Sequence, residues 1–189
     1  MNKKLKKRIM IVVCIVSILI TSVSSLVAFG ENKVKADDYE TICIKKFQKY
    51  LNNNFNAGLV VDGVYGPKSK KAAVKALQRL YNEVYNTNLK VDGIYGNNTQ
   101  DAINKHPIKR GTRNKIVKFF QVAYSYCWHS LAENDCGELA VDGIFGSQTA
   151  KAVKTIYEYE PGYYISYDML PTEIHATTWG LLVLWISVG

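Results

Sequence analysis

A six-residue phrase that occurs three times constrains this chain more than any other feature. The copies are VDGVYG at 61–66, VDGIYG at 91–96 and VDGIFG at 141–146. Three copies indicate a chain that is built from repeats. Each Asp-Gly pair predicts a turn, because glycine tolerates positive φ and the aspartate side chain accepts hydrogen bonds from nearby backbone N–H groups. We expect the aliphatic and aromatic residues of each copy to enter a small core.

The sequence before each phrase repeats as well. Each copy is preceded by an apolar residue followed by glutamine, and these glutamines are Gln48, Gln78 and Gln121. They lie 14, 14 and 21 residues before the aspartate of the phrase, so the third connector is seven residues longer than the other two. The repeating unit is therefore a helix, a connector, an Asp-Gly turn and a second helix.

Helix signals follow each turn. Pro67 suits the first helical position, and Asn97 and Ser147 are good N-cap residues. Apolar periodicity predicts helices over roughly 41–52 and 69–83. The second of these closes unit one and opens unit two, and sharing it buries both of its faces. The predicted fold is mainly α.

Five segments are expected along the chain. They are a signal peptide at 1–36, repeat units at 37–84, 69–106 and 107–159, and an apolar tail at 160–189. Residues 108–111 are expected to form a short linker, since Pro107 stops any helix before them. The tail, which contains a helical pattern over 176–185, is interpreted as a degenerate fourth unit packed on unit three, or as a segment that binds a partner.

The first 36 residues have the pattern of an export signal. Five basic residues lie between Lys3 and Arg8, an apolar run follows, and Val34-Lys35-Ala36 resembles a cleavage site. Cleavage there would make Asp37 the new N-terminus. The alternative is an uncleaved membrane anchor, because residues 9–29 are long enough to span a bilayer.

Charge argues against nucleic-acid binding. The 24 basic and 16 acidic residues include seven and one, respectively, within 1–36, which leaves 17 and 15 and a net charge of +2. A nucleic-acid-binding surface needs clustered positive charge. A local run of basic residues between Lys109 and Lys118 is interpreted as a solvated linker and helix face.

Cysteines and histidines offer little catalytic chemistry. Cys127 and Cys136 could form a disulfide that closes the long connector, which would leave Cys43 unpaired; free buried thiols are the alternative. Zinc binding by Cys127, His129 and Cys136 lacks a fourth ligand and the usual spacing. The three histidines are scattered along the chain, so we expect no enzyme activity, no metal and no cofactor.

The repeating unit resembles the type-1 peptidoglycan-binding domain family of bacterial cell-wall hydrolases. That family is similar in its apolar-Gln helix, its Val-Asp-Gly-x-Phe/Tyr-Gly phrase and the Thr three residues later, where this chain has Ser69, Thr99 and Thr149. The resemblance covers roughly residues 40–158 in three tandem copies. It implies small three-helix repeats that share helices and dock on wall glycan or peptide stem.

The resulting hypothesis is a secreted, non-catalytic peptidoglycan-binding protein associated with the cell wall. The alternative is an exported adaptor whose repeats and apolar tail bind another wall protein such as a hydrolase; a membrane is a partner only if the signal remains uncleaved. The aspartates are expected to build turns and the aromatics to fill the core, while Asn54, Asn56, Asn86 and Asn88 are candidate ligand contacts. The motif residues that would lie near a ligand are Asp62, Gly63, Tyr65, Gly66, Asp92, Gly93, Tyr95, Gly96, Asp142, Gly143, Phe145 and Gly146.

Overall fold

The structure is a computed structural model that describes residues 36–128, 139–159 and 171–184. Its helices, in chain order, are α1 (Ala36–Phe55), α2 (Pro67–Tyr85), α3 (Asn97–Lys105), α4 (Lys115–Ala123), α5 (Ser147–Tyr159) and α6 (Ala176–Leu184). A π-helical turn, Tyr124–Trp128, extends α4, and two short strands, β1 (Ile108–Lys109) and β2 (Glu173–Ile174), pair antiparallel. The mainly helical prediction is confirmed. Residues 1–35 of the predicted export segment lie outside the described residues.

The helices that follow the turns begin immediately after the second motif glycine. Pro67 is the first residue of α2, as predicted, and Gly66 occupies the N-cap position. Asn97 is likewise the first residue of α3, so the expectation that it would be an N-cap is wrong; that position belongs to Gly96. The carbonyl groups of Gly66 and Gly96 accept the first helical hydrogen bonds. The backbone of the phrase therefore caps the helix without a side chain.

The core is one continuous cluster rather than three small ones. Phe47 of α1 lies 6.2 Å from Phe119 of α4, measured between ring centroids, and Phe119 stacks on Trp179 of α6 at 5.9 Å. Phe120 packs edge-on with the Trp179 ring, with 5.5 Å between the ring centroids. Aromatic pairs at such separations add to the stabilisation from burial.

The C-terminal helix α6 lies inside this core. It contacts α2, α3, α5 and the π-helical turn, and its Trp179 and Leu182 are fully buried. The helix thus packs on unit three, as expected, but it also contacts α2 and α3, and its buried side chains are not available to a partner. An apolar segment of this kind buries its surface against several elements at once, because each small unit is too short to enclose a core alone.

The predicted linker is a structural element. Ile108 and Lys109 pair with Ile174 and Glu173, which joins the end of unit two to the segment before α6. Farther on, the N–H of Gly111 donates to the carbonyl of Phe145, and the N–H of Phe145 donates to the carbonyl of Thr112. These bonds hold residues 111–114 against the third turn. Within the described part of the chain, no helix is both long and apolar enough to cross a membrane.

Candidate functional site

Each motif turn is organised by the buried glutamine of the preceding helix. In the first unit the amide nitrogen of Gln48 donates to Oδ1 of Asp62 at 2.7 Å, to the carbonyl of Val64 at 3.1 Å and to Oγ of Ser69 at 3.2 Å. Its oxygen accepts from the N–H of Gly63 at 2.9 Å. One side chain thus holds both the turn and the start of the next helix. These bonds also satisfy the polar atoms of the amide, which buried polar groups require.

The same arrangement recurs in the second and third units. Gln78 donates to Asp92 and Thr99, both at 3.1 Å, and Gln121 donates to Asp142 at 2.8 Å and to Thr149 at 3.1 Å. Bonds from the turn glycine N–H to the glutamine oxygen are also present in both. The seven extra residues of the third connector therefore leave the turn geometry unchanged.

Helix α2 serves two units, as predicted. Ser69, in its first turn, accepts the bond from Gln48 of unit one. Gln78, nine residues later on the same helix, organises the turn of unit two. Neither unit can therefore be separated from the other without losing part of its hydrogen-bond network.

The motif aspartates build the turns, as expected. Oδ1 of Asp92 accepts from the N–H of Ile94 at 2.9 Å as well as from Gln78, and Asp62 and Asp142 make the matching bonds. Hydrogen bonds to the charged form lower the pKa of a carboxyl group. The Gln48 amide is the largest influence lowering the pKa of Asp62, whereas the backbone N–H of Ile94 and of Ile144 is the largest for Asp92 and Asp142.

Only the first glycine of each phrase adopts a conformation that favours glycine. The φ angles are 81° at Gly63, 78° at Gly93 and 75° at Gly143. A Cβ at Gly93 would lie 2.7 Å from the carbonyl oxygen of Lys71, so the turn also approaches the facing helix too closely for any side chain. The second glycines, Gly66 and Gly96, have negative φ, so their backbone conformation does not require glycine.

The connectors are held by a residue four positions after each glutamine. Asn52 exchanges two hydrogen bonds with the backbone of Leu59, both at 2.8 Å, and Asn82 does the same with Leu89. In the third unit the hydroxyl of Ser125 donates to the carbonyl of Leu139 at 3.4 Å. These contacts were not predicted, although asparagine occurs at the same offset from the glutamine in units one and two.

The candidate connector asparagines have backbone roles. Asn56, Asn86 and Asn88 adopt left-handed φ angles of 51°, 55° and 55°. Asn86 is the C-cap of α2, and its N–H donates to the carbonyl of Asn82. Asparagine tolerates this conformation better than other residues with a side chain, so the turn explains its presence without a ligand.

The motif aromatics fill the core, as expected, and two of them also anchor α6. The hydroxyl of Tyr65 donates to the carbonyl of Val183 at 3.1 Å, and that of Tyr95 donates to the carbonyl of Ala176 at 2.5 Å. Burial raises the pKa of Tyr95. Phe145 is fully buried. The rings of Tyr65 and Phe145 are therefore buried away from solvent, and the ring of Tyr95 is partly buried against the core.

The aliphatic position of the phrase is oriented differently from the expectation. Val64 is 62% exposed and Ile94 is 64% exposed, so neither enters the core. Their backbone groups carry the turn hydrogen bonds: the N–H donates to Asp Oδ1, and the carbonyl accepts from the glutamine. Because the backbone faces the glutamine, the side chain points outward and offers an apolar contact at the surface of the turn.

A lysine three residues before each glutamine passes beside the turn glycine. Lys45 Cε lies 3.3 Å from the position that a Cβ on Gly63 would take, and Lys75 Cγ lies 3.2 Å from the matching point at Gly93. Lys118 Cβ is 3.6 Å from the same point at Gly143. Because glycine has no side chain, the aliphatic part of the lysine side chain fits beside the turn. This Lys-x-x-Gln pattern was present in the sequence but was not noticed there.

A cleft of about 270 Å³ lies over the second turn. Gln78 and Thr99 form part of its lining, together with Gly96 of the turn. The residues with side chains available to a ligand are Leu89, Lys90, Asp92, Ile94, Asn97 and Asn98. The cleft therefore offers one positive and one negative charge, two amides and two aliphatic side chains.

Cys43 is disulfide-bonded, so the expectation that it would be left unpaired is wrong. Its side chain is fully buried on α1, which contacts the π-helical turn. The sulfur atoms of Cys127 and Cys136 lie outside the described residues, as does His129, so their predicted disulfide and the alternative zinc site stay untested. Among the described residues, no three His, Cys, Asp or Glu side chains converge to hold a metal.

Comparison with known families gives one match. The FadG/YbfG, PGDB-like domain matches residues 37–162, which is 126 of the 189 residues. The chain belongs to this family. No curated protein and no solved structure matched the chain. The match confirms the resemblance at its coarser level, that of a peptidoglycan-binding-like domain.

The PGDB-like domain is present in a single copy, which corrects the expectation of three tandem copies. The three Asp-Gly turns are repeated parts within this one domain. Their shared helix α2 and common core give the physical reason, because no unit has its own complete set of packing partners. The twelve motif residues recur in equivalent positions around three buried glutamines, and the cleft over the second turn is lined by residues of the second unit.

Proposed function

We propose that this PGDB-like domain is a secreted, non-catalytic module that binds peptidoglycan at the cell wall. The observation that carries the proposal is the family match over residues 37–162. The basic and apolar N-terminal segment, with the pattern of an export signal, supports delivery to the wall. No matching curated protein supplies an activity for this domain.

The geometry of the turns supports binding by a rigid surface. Three buried glutamines fix the three turns, and the exposed Val64 and Ile94 extend from them. Preorganised surface groups bind with a smaller loss of conformational entropy than mobile ones. The motif residues thus keep the turns rigid, and the exposed side chains beside them make the contacts with peptidoglycan.

The adaptor hypothesis assigned partner binding to the repeats and to the apolar tail, and the structure does not favour the tail. The core includes the buried residues of that tail, which are Ala176, Thr178, Trp179, Leu182 and Val183. Deleting residues 160–189 would consequently unfold the domain rather than remove a separate binding segment. The deletion cannot distinguish wall binding from partner binding.

Sedimentation with insoluble peptidoglycan sacculi tests the proposal. Purified protein is mixed with sacculi and centrifuged, and both the pelleted protein and the released sugar and peptide are measured. We expect protein in the pellet without release of wall fragments. Protein that stays in the supernatant would refute wall binding, and steady release of fragments would refute the non-catalytic assignment.

A further inference from the structure

The cleft over the second turn differs from the same region of the first turn. Units one and two are related by an offset of thirty residues, so Lys90, Asn97 and Asn98 correspond to Val60, Pro67 and Lys68. Val60 is 73% exposed and apolar, and Pro67 has no side-chain donor. Unit one therefore repeats the turn but lacks the amides and the charge arrangement of the second cleft.

The third turn is contacted by the chain segment that precedes α4, although Asp142, Ser147 and Gln148 remain exposed. Arg113 pairs with Ile144, and the N–H of Asn114 donates to the carbonyl of Gly143. Ser147, which corresponds to Asn97, has its hydroxyl 2.8 Å from a guanidinium nitrogen of Arg110. Groups that would face a ligand in the second unit are thus already paired in the third.

The chemistry of the second cleft favours a peptide over a sugar. None of the nine residues that line it is aromatic, and the ring of Tyr95 is anchored to α6 instead. The hydrogen bonds that Asp92 accepts from described residues end on Oδ1, which leaves Oδ2 for a ligand. Lys90 provides a positive charge on the same cleft. A ligand that carries both an ammonium and a carboxylate complements this pair.

We propose that the cleft over the second turn binds the stem peptide of peptidoglycan, and that it is the specific subsite of the domain. Lys90 binds a carboxylate of the peptide, and Asp92 binds an amine of its diamino acid. The amides of Asn97 and Asn98 hydrogen-bond to peptide groups, while Leu89 and Ile94 contact its aliphatic portions. A cleft of about 270 Å³ is close to the lower end of ligand-site volumes and fits a few residues.

This inference rests on the proposed function and is tested by competition. Protein bound to sacculi is challenged with a soluble, uncross-linked stem peptide and, separately, with peptide-free glycan strands. We expect the stem peptide to displace the protein and the glycan strands to leave it bound. Displacement by glycan strands alone would overturn this inference but would leave the proposed wall binding intact. Failure of the protein to sediment with sacculi would refute the proposed function itself.

Matched variants locate the site. Asn98→Ala and Lys90→Ala are each expected to weaken stem-peptide binding about tenfold, as loss of a charged or amide contact would. Gln148→Ala and Lys68→Ala alter the positions that correspond to Asn98 in units three and one, and are expected to change affinity less than about twofold. All four side chains are exposed, so circular dichroism should show an unchanged fold.

Two results with these variants would contradict the proposal. Unchanged affinity in Asn98→Ala and Lys90→Ala would overturn the assignment of the cleft. Equal weakening in the control variants would overturn its restriction to unit two. Backbone amide shifts during titration with the stem peptide give a second measurement: they should be largest at Leu89, Lys90, Asn97 and Asn98, and shifts centred elsewhere would also contradict the proposal.

Discussion

The hydroxyl of Tyr65 donates a hydrogen bond to the carbonyl oxygen of Val183, 3.1 Å away and 118 residues later in the chain. Tyr95 makes the equivalent bond to Ala176, at the other end of the same helix. Two motif turns thus fix both ends of α6. The tyrosines of units one and two thus have a role that Phe145 of the third unit cannot take, because its ring has no hydroxyl; Phe145 is held by burial of its ring and by its backbone hydrogen bonds with residues 111 and 112.

Replacing Tyr65 with phenylalanine tests this link. Tyr65→Phe keeps the ring in the core but leaves the Val183 carbonyl without its donor. A buried acceptor without a partner costs about 1–3 kcal/mol. We expect urea denaturation to show a loss of that size in the free energy of unfolding.

Tyr85→Phe is the matched control. Tyr85 is half-buried, and its ring stacks on His106 at 4.8 Å, a contact that the substitution preserves. We expect a change below about 0.5 kcal/mol. Equal losses in the two variants would show that the Tyr65 hydroxyl has no special role in holding α6.

The two glycines of the second turn should respond very differently to alanine. Gly93→Ala places a Cβ at positive φ and against the Lys71 carbonyl, and we expect a loss of more than about 2 kcal/mol in the free energy of unfolding. Gly96→Ala meets nothing closer than 3.6 Å and has negative φ. It should change stability by less than about 1 kcal/mol, and a reversed order would contradict the turn geometry.

Acid should weaken the domain through its three turns. Because the pKa values of Asp62, Asp92 and Asp142 are lower in the folded state, their charged forms stabilise the fold at pH values above about 4, the usual aspartate pKa. This stabilisation is lost as the pH falls through the folded-state values. We expect the urea midpoint to decrease steadily below about pH 4.

A triple variant isolates that effect. Asparagine at all three positions keeps an Oδ1 acceptor but removes the titrating charge. We expect the variant to be less stable than the parent at pH 7 and to show a flatter decline between pH 5 and pH 2. Parallel profiles for the two proteins would mean that other groups cause the acid sensitivity.

The disulfide of Cys43 should make stability depend on redox conditions. The chain has four cysteines, so the partner is one of Cys14, Cys127 and Cys136. Reduction is expected to lower the free energy of unfolding by about 2–4 kcal/mol. Cys43→Ser should abolish that dependence, and mass mapping of an unreduced digest should find the Cys43 peptide cross-linked. Alkylation of Cys43 without reduction would contradict the bond.

Local features of this fold were predictable from sequence because they depend on short-range chemistry. Asp-Gly specified the turns, Pro67 marked the start of α2, and the spacing of Gln48 and Gln78 revealed the shared helix. Each of these signals acts over one or two elements. Repetition made them visible, since the same chemistry had to recur at the same offset.

Long-range features were not predictable in the same way. The C-terminal helix is apolar on most of its surface, which fits a core segment and a binding segment equally well. Only its contacts with α2, α3 and α5 distinguish them. The outward orientation of Val64 and Ile94 was missed for a related reason: it depends on how the backbone faces a buried glutamine, and a β-branched residue in a turn does not reveal that direction.

The candidate site was predicted only in outline. The motif aspartates and aromatics were correctly assigned to turns and core, but the search for contacts then turned to the connector asparagines. Asn97 was predicted only as a helix-start residue and Asn98 was given no role, although both line the cleft. Their place in the cleft depends on the fold of the second turn, which the sequence pattern alone does not show.

The most direct test of the account is a binding isotherm on sacculi. A fixed amount of protein is mixed with increasing amounts of insoluble peptidoglycan, with cellulose as the insoluble control, and the protein left in solution is measured. The account predicts saturable depletion by sacculi and none by cellulose. No depletion, or the same depletion by both materials, would contradict a peptidoglycan-binding function.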